Sequence, residues 1–287
     1  MPTWKIYWKK RFESNKNEKY MLKEYIMEFK DIRYEKDGHI VRLILNRPKE
    51  LNSINRGVID GLNAACAAVE QDKEVRVVIL TGEGRAFCAG GDLKSLMGGP
   101  DTDGIDEEFM RFWHKTFNRF EDLPVCTIAA VNGIAFAGGL ELVMCCDLVI
   151  LSEDAAIGDQ HANFGLVAGG GNSQRLPRIL GIRKAKEIMY TGDQISAQDA
   201  LNFGLVNKVV PAEKLLEESE LLARKICKKS PVATATVKRM INQGMQVDLR
   251  SGLEIEIGSL LNHFNTKDCK EGLTAFIEKR TPQFKGR

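Results

Sequence analysis

Two glycine-rich segments of this chain place small residues where a strand is predicted to turn into a helix. The first is 84–94 (GRAFCAGGDLK) and the second is 132–141 (NGIAFAGGLE). Glycine lets a ligand approach the backbone, and the first N–H groups of a helix are unpaired and lie in a positive potential. If the two turns converge, they supply two N–H donors to one oxygen, as in an oxyanion hole. Either turn taken alone is better explained by packing, since neither is a P-loop or a complete GxGxxG motif.

The elements that must position these turns follow from the apolar pattern. Five short β-branched or apolar runs predict strands, at Ile40–Leu45, 75–80, 126–131, 148–151 and 205–210. Apolar residues at helical spacing predict helices between them, at 55–71, 106–121, 138–144, 174–180, 183–190 and 197–202. Beyond Pro211 the pattern is helical throughout, at 213–228, 232–243, 252–265 and 268–278. Strands alternating with helices predict parallel crossover units, hence an α/β fold with a helical C-terminal third.

Composition limits the class of protein. The 287 residues are 44% hydrophobic and 28% charged, which is typical of a globular chain. With 41 basic and 39 acidic residues, the net charge of +2 disfavours a dedicated nucleic-acid-binding protein, which needs a basic face. The seven cysteines are scattered without a CxxC pair, so we expect reduced thiols, no metal site and a cytoplasmic location.

One uncharged stretch, 123–140, approaches the length of a membrane span. Pro124, Asn132 and Gly133 interrupt it. It is therefore predicted to form a strand, a turn and the start of a helix, and no association with a membrane is expected.

Residues 1–26 differ from the rest of the chain. They hold seven basic residues against three glutamates, with aromatic residues interleaved and no apolar signal core. We expect an extended or misassigned N-terminus, with the domain starting at Met27. A functional basic arm is the alternative.

Several further motifs occur in a fixed order along the chain, and together with the glycine-rich turns they resemble the crotonase (enoyl-CoA hydratase/isomerase) superfamily over residues 27–287. They are 45–53 (LNRPKELNS), 86–94 (AFCAGGDLK), 130–147 (AVNGIAFAGGLELVMCCD), 165–176, 191–192 and 275–280 (AFIEKR). The resemblance implies a ββα-repeat spiral core over 27–210 and a helical trimerisation region over 211–287. It also implies a homotrimer or a dimer of trimers.

By this resemblance the ligand is an acyl-CoA, with no cofactor beyond the CoA of the substrate. The backbone N–H groups of Gly91 and Gly138 would hold the thioester oxygen as it becomes an enolate.

The resemblance also assigns residues that bind CoA. Leu51 and Ala89 map to the channel for adenine and pantetheine, with Lys49 nearby. Phe276 and Lys279 match a segment that reaches the CoA of a neighbouring subunit in relatives.

Typical hydratases of this family use two glutamates for proton transfer. Glu141 matches the first, although the helix dipole alone also favours a glutamate there. His161 stands at the position of the second, and because imidazole both accepts and donates protons, Glu141 and His161 could still share a water. If this segment is extended, Asp159 lies on the same face as His161 and orients it or raises its pKa; a solvated strand end is the alternative. His114 lies in the helix that shapes the acyl pocket in relatives, or is simply an exposed helix residue.

The leading hypothesis is therefore an enoyl-CoA hydratase or dehydratase. Because His161 replaces a glutamate, two other reactions stay open: C–C bond hydrolysis of a cyclic oxo-acyl-CoA and hydration of a cyclic dienoyl-CoA. A CoA-binding or RNA-binding protein with little catalysis is a third possibility, favoured only by the basic residues before Met27. Residues 96–105 (LMGGPDTDGI) are predicted to form a pocket loop.

Overall fold

The structure, a computed structural model, describes residues 5–11, 22–98 and 104–287. Within these ranges the chain forms twelve strands: β1 Lys5–Arg11, β2 Leu22–Phe29, β3 Ile32–Asp37, β4 Ile40–Leu45, β5 Val77–Gly82, β6 Ala86–Cys88, β7 Cys126–Val131, β8 Ile134–Phe136, β9 Leu148–Ser152, β10 Ala156–Gly158, β11 Ile195–Ser196 and β12 Lys208–Val210.

The strands form one large and one small sheet. The large sheet has the order β1-β2-β3-β4-β5-β7-β9-β12, antiparallel from β1 to β4 and parallel from β4 to β12. The small sheet has the order β11-β10-β8-β6, in which β6, β8 and β10 run parallel.

The chain alternates between the two sheets as it advances. Strands β5, β7 and β9 of the large sheet are each followed by a short strand of the small sheet, β6, β8 and β10 respectively. A helix follows each of the pairs β5–β6 and β7–β8. This repetition confirms the predicted ββα spiral, and because β6, β8 and β10 run parallel, each of them finishes at the same end of the small sheet.

The helices fill the outside of the spiral and the C-terminal third. They are α1 Arg56–Gln71, α2 Leu93–Leu96, α3 Glu107–Glu121, α4 Gly138–Val143, α5 Asn172–Leu180, α6 Ile182–Thr191, α7 Ala197–Asn202, α8 Leu215–Cys227, α9 Pro231–Gly244, α10 Leu249–Phe264 and α11 Lys267–Ile277.

The central strand β5 shows why the strands of the large sheet were predicted from unbroken apolar runs in the sequence. Successive side chains of a strand point to opposite faces, and here both faces are covered. Val78 and Leu80 belong to the main core, which includes residues of α1 and α3, whereas Val77 and Ile79 belong to a second core that includes residues of α8.

Some predicted boundaries differ from the structure for local reasons. The strand predicted at 205–210 is observed only as β12, Lys208–Val210. Leu205 and Val206 instead belong to the turn after α7, where their N–H groups donate to the carbonyl of Ala200 in that helix. Strands β6, β8 and β10 were not predicted, since strands of three residues are too short to show a period of two, and β1, β2, β3 and β11 were not predicted either. The uncharged stretch 123–140 contains β7, β8 and the start of α4, as expected.

Two predicted segments lie partly outside the described residues. In the N-terminal extension, residues 1–4 and 12–21 lie outside the described residues. Strand β1 pairs antiparallel with β2, and β2 continues past residue 26 as part of the large sheet. In the predicted pocket loop, residues 99–103 lie outside the described residues. In the part of the chain that the structure describes, no helix has the length and apolar content needed to cross a membrane.

Candidate active site

The two glycine-rich turns lie side by side. Strands β6 and β8 lie within these two segments and pair in parallel, so the glycines that follow each strand lie at the same end of the small sheet. A Cβ atom added to Gly138 would lie 3.4 Å from the amide nitrogen of Gly91, and one added to Gly90 would lie 3.5 Å from the amide nitrogen of Gly138.

The N–H groups of Gly91 and Gly138 donate no hydrogen bond within the described ranges. Gly91 forms a parallel bridge with Ile54, but its two neighbours make both hydrogen bonds of the bridge. The carbonyl of Gly90 accepts from the N–H of Ile54 at 2.8 Å, and the N–H of Asp92 donates to the carbonyl of Ile54 at 2.9 Å. Gly138 is the first residue of α4, where an N–H has no acceptor within the helix. Two adjacent unpaired donors are the chemical requirement for holding an oxygen that gains negative charge.

Glu141 lies in the first turn of α4 and is only 2% exposed. Its Oε1 accepts hydrogen bonds from the backbone N–H groups of Gly170, at 2.8 Å, and Asn172, at 3.1 Å. Oε2 accepts none from the described residues and so is free for a ligand. Burial raises the pKa of Glu141 and outweighs the two backbone N–H bonds and the charge of His161, which lower it.

His161 begins a short 3-10 helix, His161–Phe164, and its Nδ1 lies 3.0 Å from Oδ1 of Asp159. The condition of an extended segment is not met: Gln160 has a φ of 60°, and the chain turns so that the N–H of His161 bonds to the Asp159 carbonyl. The two side chains meet through this turn rather than along one face of a strand. Asp159 is 1% exposed and also accepts a hydrogen bond from Nδ2 of Asn172.

The imidazole of His161 is the second titratable group of the site. Its burial lowers the pKa, but the hydrogen bond and charge of Asp159 and the charge of Glu141 outweigh burial, so the pKa of His161 is raised. Glu141 and His161 each shift the pKa of the other, which places them in one electrostatic environment.

Three residues of this region were not identified from the sequence: Gly170, Asn172 and Trp113. A Cβ on Gly170 would collide with Oε2 of Glu141, which explains the glycine. The indole of Trp113 lies beside both Gly170, next to the Glu141 carboxylate, and Gly138. A Cβ on Gly170 would lie 3.1 Å from Nε1 of Trp113, and a Cβ on Gly138 would lie 3.4 Å from its Cζ2. The buried face of α3 could have suggested Trp113; the roles of Gly170 and Asn172 depend on main-chain N–H groups, which leave no sequence signal.

The predicted CoA-binding residues near the first turn lie close to one another. The N–H of Ala89 donates to the carbonyl of Leu51 at 3.0 Å, and Leu51 has a φ of 50° at the end of the 3-10 turn Pro48–Glu50, which contains Lys49. Lys49 is exposed.

The other candidates lie elsewhere in the single chain. His114 lines a groove of about 1300 Å³ together with Glu121 and Arg175, and Glu141 is not among the residues of that groove. Phe276, on α11, is 84% exposed, and Lys279 follows that helix and is also exposed. Across the described ranges no three His, Cys, Asp or Glu side chains are grouped to hold a metal ion.

The class of protein is defined by a ββα spiral in which two glycine turns lie next to each other, with the buried carboxylate of Glu141 in the helix that follows the second turn. A model of the enoyl-CoA hydratase/isomerase family matches residues 35–287. The chain is 39% identical over 255 residues to a short-chain-enoyl-CoA hydratase of Clostridium acetobutylicum, covering 88% of this chain and 97% of that protein. It is also 39% identical over 259 residues to a crotonyl-CoA hydratase of Syntrophomonas wolfei, covering 90% and 99%.

A solved structure gives the same relationship in three dimensions. The crystal structure of an enoyl-CoA hydratase from Bacillus anthracis superposes with a TM-score of 0.84 at 40% identity, covering 90% of this chain and all of that one (100%). The chain therefore belongs to the enoyl-CoA hydratase/isomerase family of the crotonase superfamily, which confirms the resemblance seen in its motifs.

Proposed function

We propose that this enzyme adds water across the α,β double bond of an enoyl-CoA, or removes it in reverse. One observation carries the proposal: the two unpaired amides of Gly91 and Gly138 lie next to each other, and Trp113 borders both this pair and the buried carboxylate of Glu141. Family membership supplies the substrate class, an acyl-CoA thioester.

The amide pair would act as an oxyanion hole for the thioester oxygen. When water attacks Cβ, the electrons of the double bond move toward that oxygen and give an enolate. Two fixed N–H donors stabilise this charge, and losing one such donor costs about 10²–10³ in rate.

Glu141 and His161 would divide the proton transfers. Oε2 of Glu141 takes a proton from water as the water oxygen bonds to Cβ, and Nε2 of protonated His161 then gives a proton to Cα as the enolate collapses. The product carries one added water. Proton exchange with solvent returns Glu141 to its ionised form and His161 to its protonated form, which the raised pKa of His161 favours near neutral pH.

Incubation with linear, branched and cyclic enoyl-CoA esters in heavy-oxygen water tests the reaction and its acyl class together. We expect one heavy oxygen at Cβ of an otherwise intact acyl chain. Intact substrate for every ester, or heavy oxygen only in a free acid released by thioester hydrolysis, would refute the proposal.

A second candidate reaction is C–C bond hydrolysis of a cyclic oxo-acyl-CoA. It is favoured by the pairing of His161 with the buried Asp159, since a histidine held by a carboxylate can also activate water. Both reactions add one water, but only this one opens the ring. Hydration of a cyclic dienoyl-CoA leaves the ring closed, so the connectivity of the product separates the two.

We also propose how CoA is held. Lys49, Leu51 and Ala89 border the nucleotide and pantetheine from within the chain, and Phe276 and Lys279 reach the CoA of a neighbouring subunit. The exposure of Phe276 in the single chain supports this arrangement.

A homotrimer or a dimer of trimers would follow, built on the helical region 211–287. Helix α10 supports this proposal, because its exposed apolar side chains cover a continuous part of its length: Leu249, Leu253, Ile257, Leu260, Leu261 and Phe264. Light scattering after gel filtration tests it, and a monomeric mass would exclude it.

A cytoplasmic location completes the proposal. All seven cysteines are free thiols in the structure, which suits a reducing compartment. Cell fractionation with an antibody to the native protein tests this location.

A further inference from the structure

Glu141 and His161 are joined by a continuous chain of hydrogen bonds. The backbone N–H of Asn172 donates to Oε1 of Glu141 at 3.1 Å, and the side-chain amide of the same residue donates to Oδ1 of Asp159. That oxygen also faces Nδ1 of His161 at 3.0 Å. We propose that Asp159 and Asn172 are positioning residues that hold the base and the acid of the site in one relative geometry. This inference rests on the proposed function.

Asp159 determines which nitrogen of His161 can react. An ionised carboxylate only accepts hydrogen bonds, so Nδ1 must carry the proton in this pair. Nε2 is then the ring nitrogen left for the substrate. Asp159 is 1% exposed, and the imidazole of His161, when protonated, is the cation paired with it.

Asn172 links the two halves because it lies at the start of α5. The N–H groups of a first helical turn have no acceptor within the helix, and this one points at Glu141. The orientation of the side-chain amide follows from Asp159: with the amide reversed, two oxygens would face each other. A fully buried residue thus fixes both partners through main chain and side chain.

Few charges act on the imidazole. Asp159 and Glu141 are the groups that raise the pKa of His161. Helix α6 packs against residues 161–164 and carries four charged side chains on the described part of the chain: Arg183, Lys184, Lys186 and Glu187. Removing the charge of Asp159 should therefore lower the pKa of His161.

The test is Asp159→Asn, with Asp154→Asn as the matched control, since Asp154 is exposed in the turn before β10. Two measurements are made on the full-length protein: steady-state hydration of crotonyl-CoA as a function of pH, and NMR titration of the histidine imidazoles. Only four histidines are present, and His161→Gln identifies the signal.

For Asp159→Asn we expect kcat to fall about tenfold to a hundredfold, part of the 10²–10⁴ that positioned proton transfer supplies. KM should stay within about twofold, because the CoA contacts are untouched. A protonated His161 acts as the acid, so activity is lost as pH rises through its pKa. This alkaline limb should move to lower pH, as should the NMR titration of His161. Asp154→Asn should change none of these.

Asn172→Ala tests the other half of the chain. It removes the side-chain donor and keeps the backbone N–H to Glu141, so we expect lower kcat at unchanged KM. The alkaline limb should not move down, since the carboxylate remains. Unchanged kcat for Asn172→Ala would overturn the role of Asn172.

An unshifted His161 titration in Asp159→Asn, or a loss of kcat with the alkaline limb in place, would overturn the role of Asp159. In a His161→Gln background Asp159→Asn should cause no further loss, and an equal loss there would also count against it. The NMR shift without hydration of any enoyl-CoA would instead refute the proposed function, while showing that Asp159 does act on the imidazole of His161.

Discussion

Replacing Glu141 by glutamine separates the chemistry of this carboxylate from its place in the fold. Oε1 of Glu141 accepts two backbone hydrogen bonds, from Gly170 at 2.8 Å and Asn172 at 3.1 Å. A glutamine can keep both with its amide oxygen. Its NH₂ group then takes the place of Oε2, where it can donate but cannot take a proton from water.

The expected loss of activity follows from that change of one atom. Proton transfer by a positioned group contributes about 10²–10⁴ in rate, or about 3–5 kcal/mol of barrier. For Glu141→Gln we therefore expect kcat to fall by that factor. KM should stay within about twofold, because the oxyanion amides and the CoA contacts are unchanged.

The same substitution should make the protein more stable at neutral pH. Burial raises the pKa of Glu141, so the folded state favours the protonated carboxyl. The contribution of Glu141 to the free energy of unfolding is then greatest below the ordinary carboxyl pKa and is lost as pH rises through the raised value. Glutamine stays neutral, so its advantage over wild type grows across the same pH range.

Crotonyl-CoA hydration and urea unfolding at several pH values measure the two effects. Glu153→Gln is the matched control, because Glu153 is exposed and should change neither. If Glu141→Gln keeps more than about a tenth of wild-type kcat, Glu141 is not the base. If it unfolds more easily than wild type at neutral pH, burial does not dominate the energy of this carboxylate.

Three further outcomes test other parts of the molecule. Gly138→Ala would add a Cβ 3.4 Å from the amide nitrogen of Gly91, in the space that the thioester oxygen would occupy. We therefore expect kcat to fall about 10²–10³-fold while the circular dichroism spectrum stays native. Activity within about twofold of wild type would exclude an oxyanion hole at these two amides. Asn52→Ala removes the buried amide that donates to the carbonyls of Glu83 and Ala86, and should lower the free energy of unfolding by about 1–3 kcal/mol in urea titrations. Phe276→Ala should raise the Kd for a saturated acyl-CoA about tenfold with stability unchanged to about 0.5 kcal/mol, and equal affinity would remove Phe276 from the CoA site.

Much of this protein can be predicted from the amino-acid order alone. Several strands and helices follow from periodicity, since β4, β7 and α7 begin and end at the predicted residues, whereas β1, β2 and β3 were not predicted. The family follows from ordered motifs, because the two glycine-rich turns and Glu141, three residues after Gly138, occur in a fixed order along the chain.

Tertiary structure decided what lies next to what. The small sheet, whose three-residue strands carry no periodic signal, brings Gly91 beside Gly138 from positions far apart in sequence. The contact of His161 with Asp159 depends on one left-handed residue, Gln160, and not on a strand face. Asn172 binds Glu141 through a main-chain N–H, which every residue type except proline possesses. Such groups leave no mark in the sequence, because their direction is set only when the chain has folded.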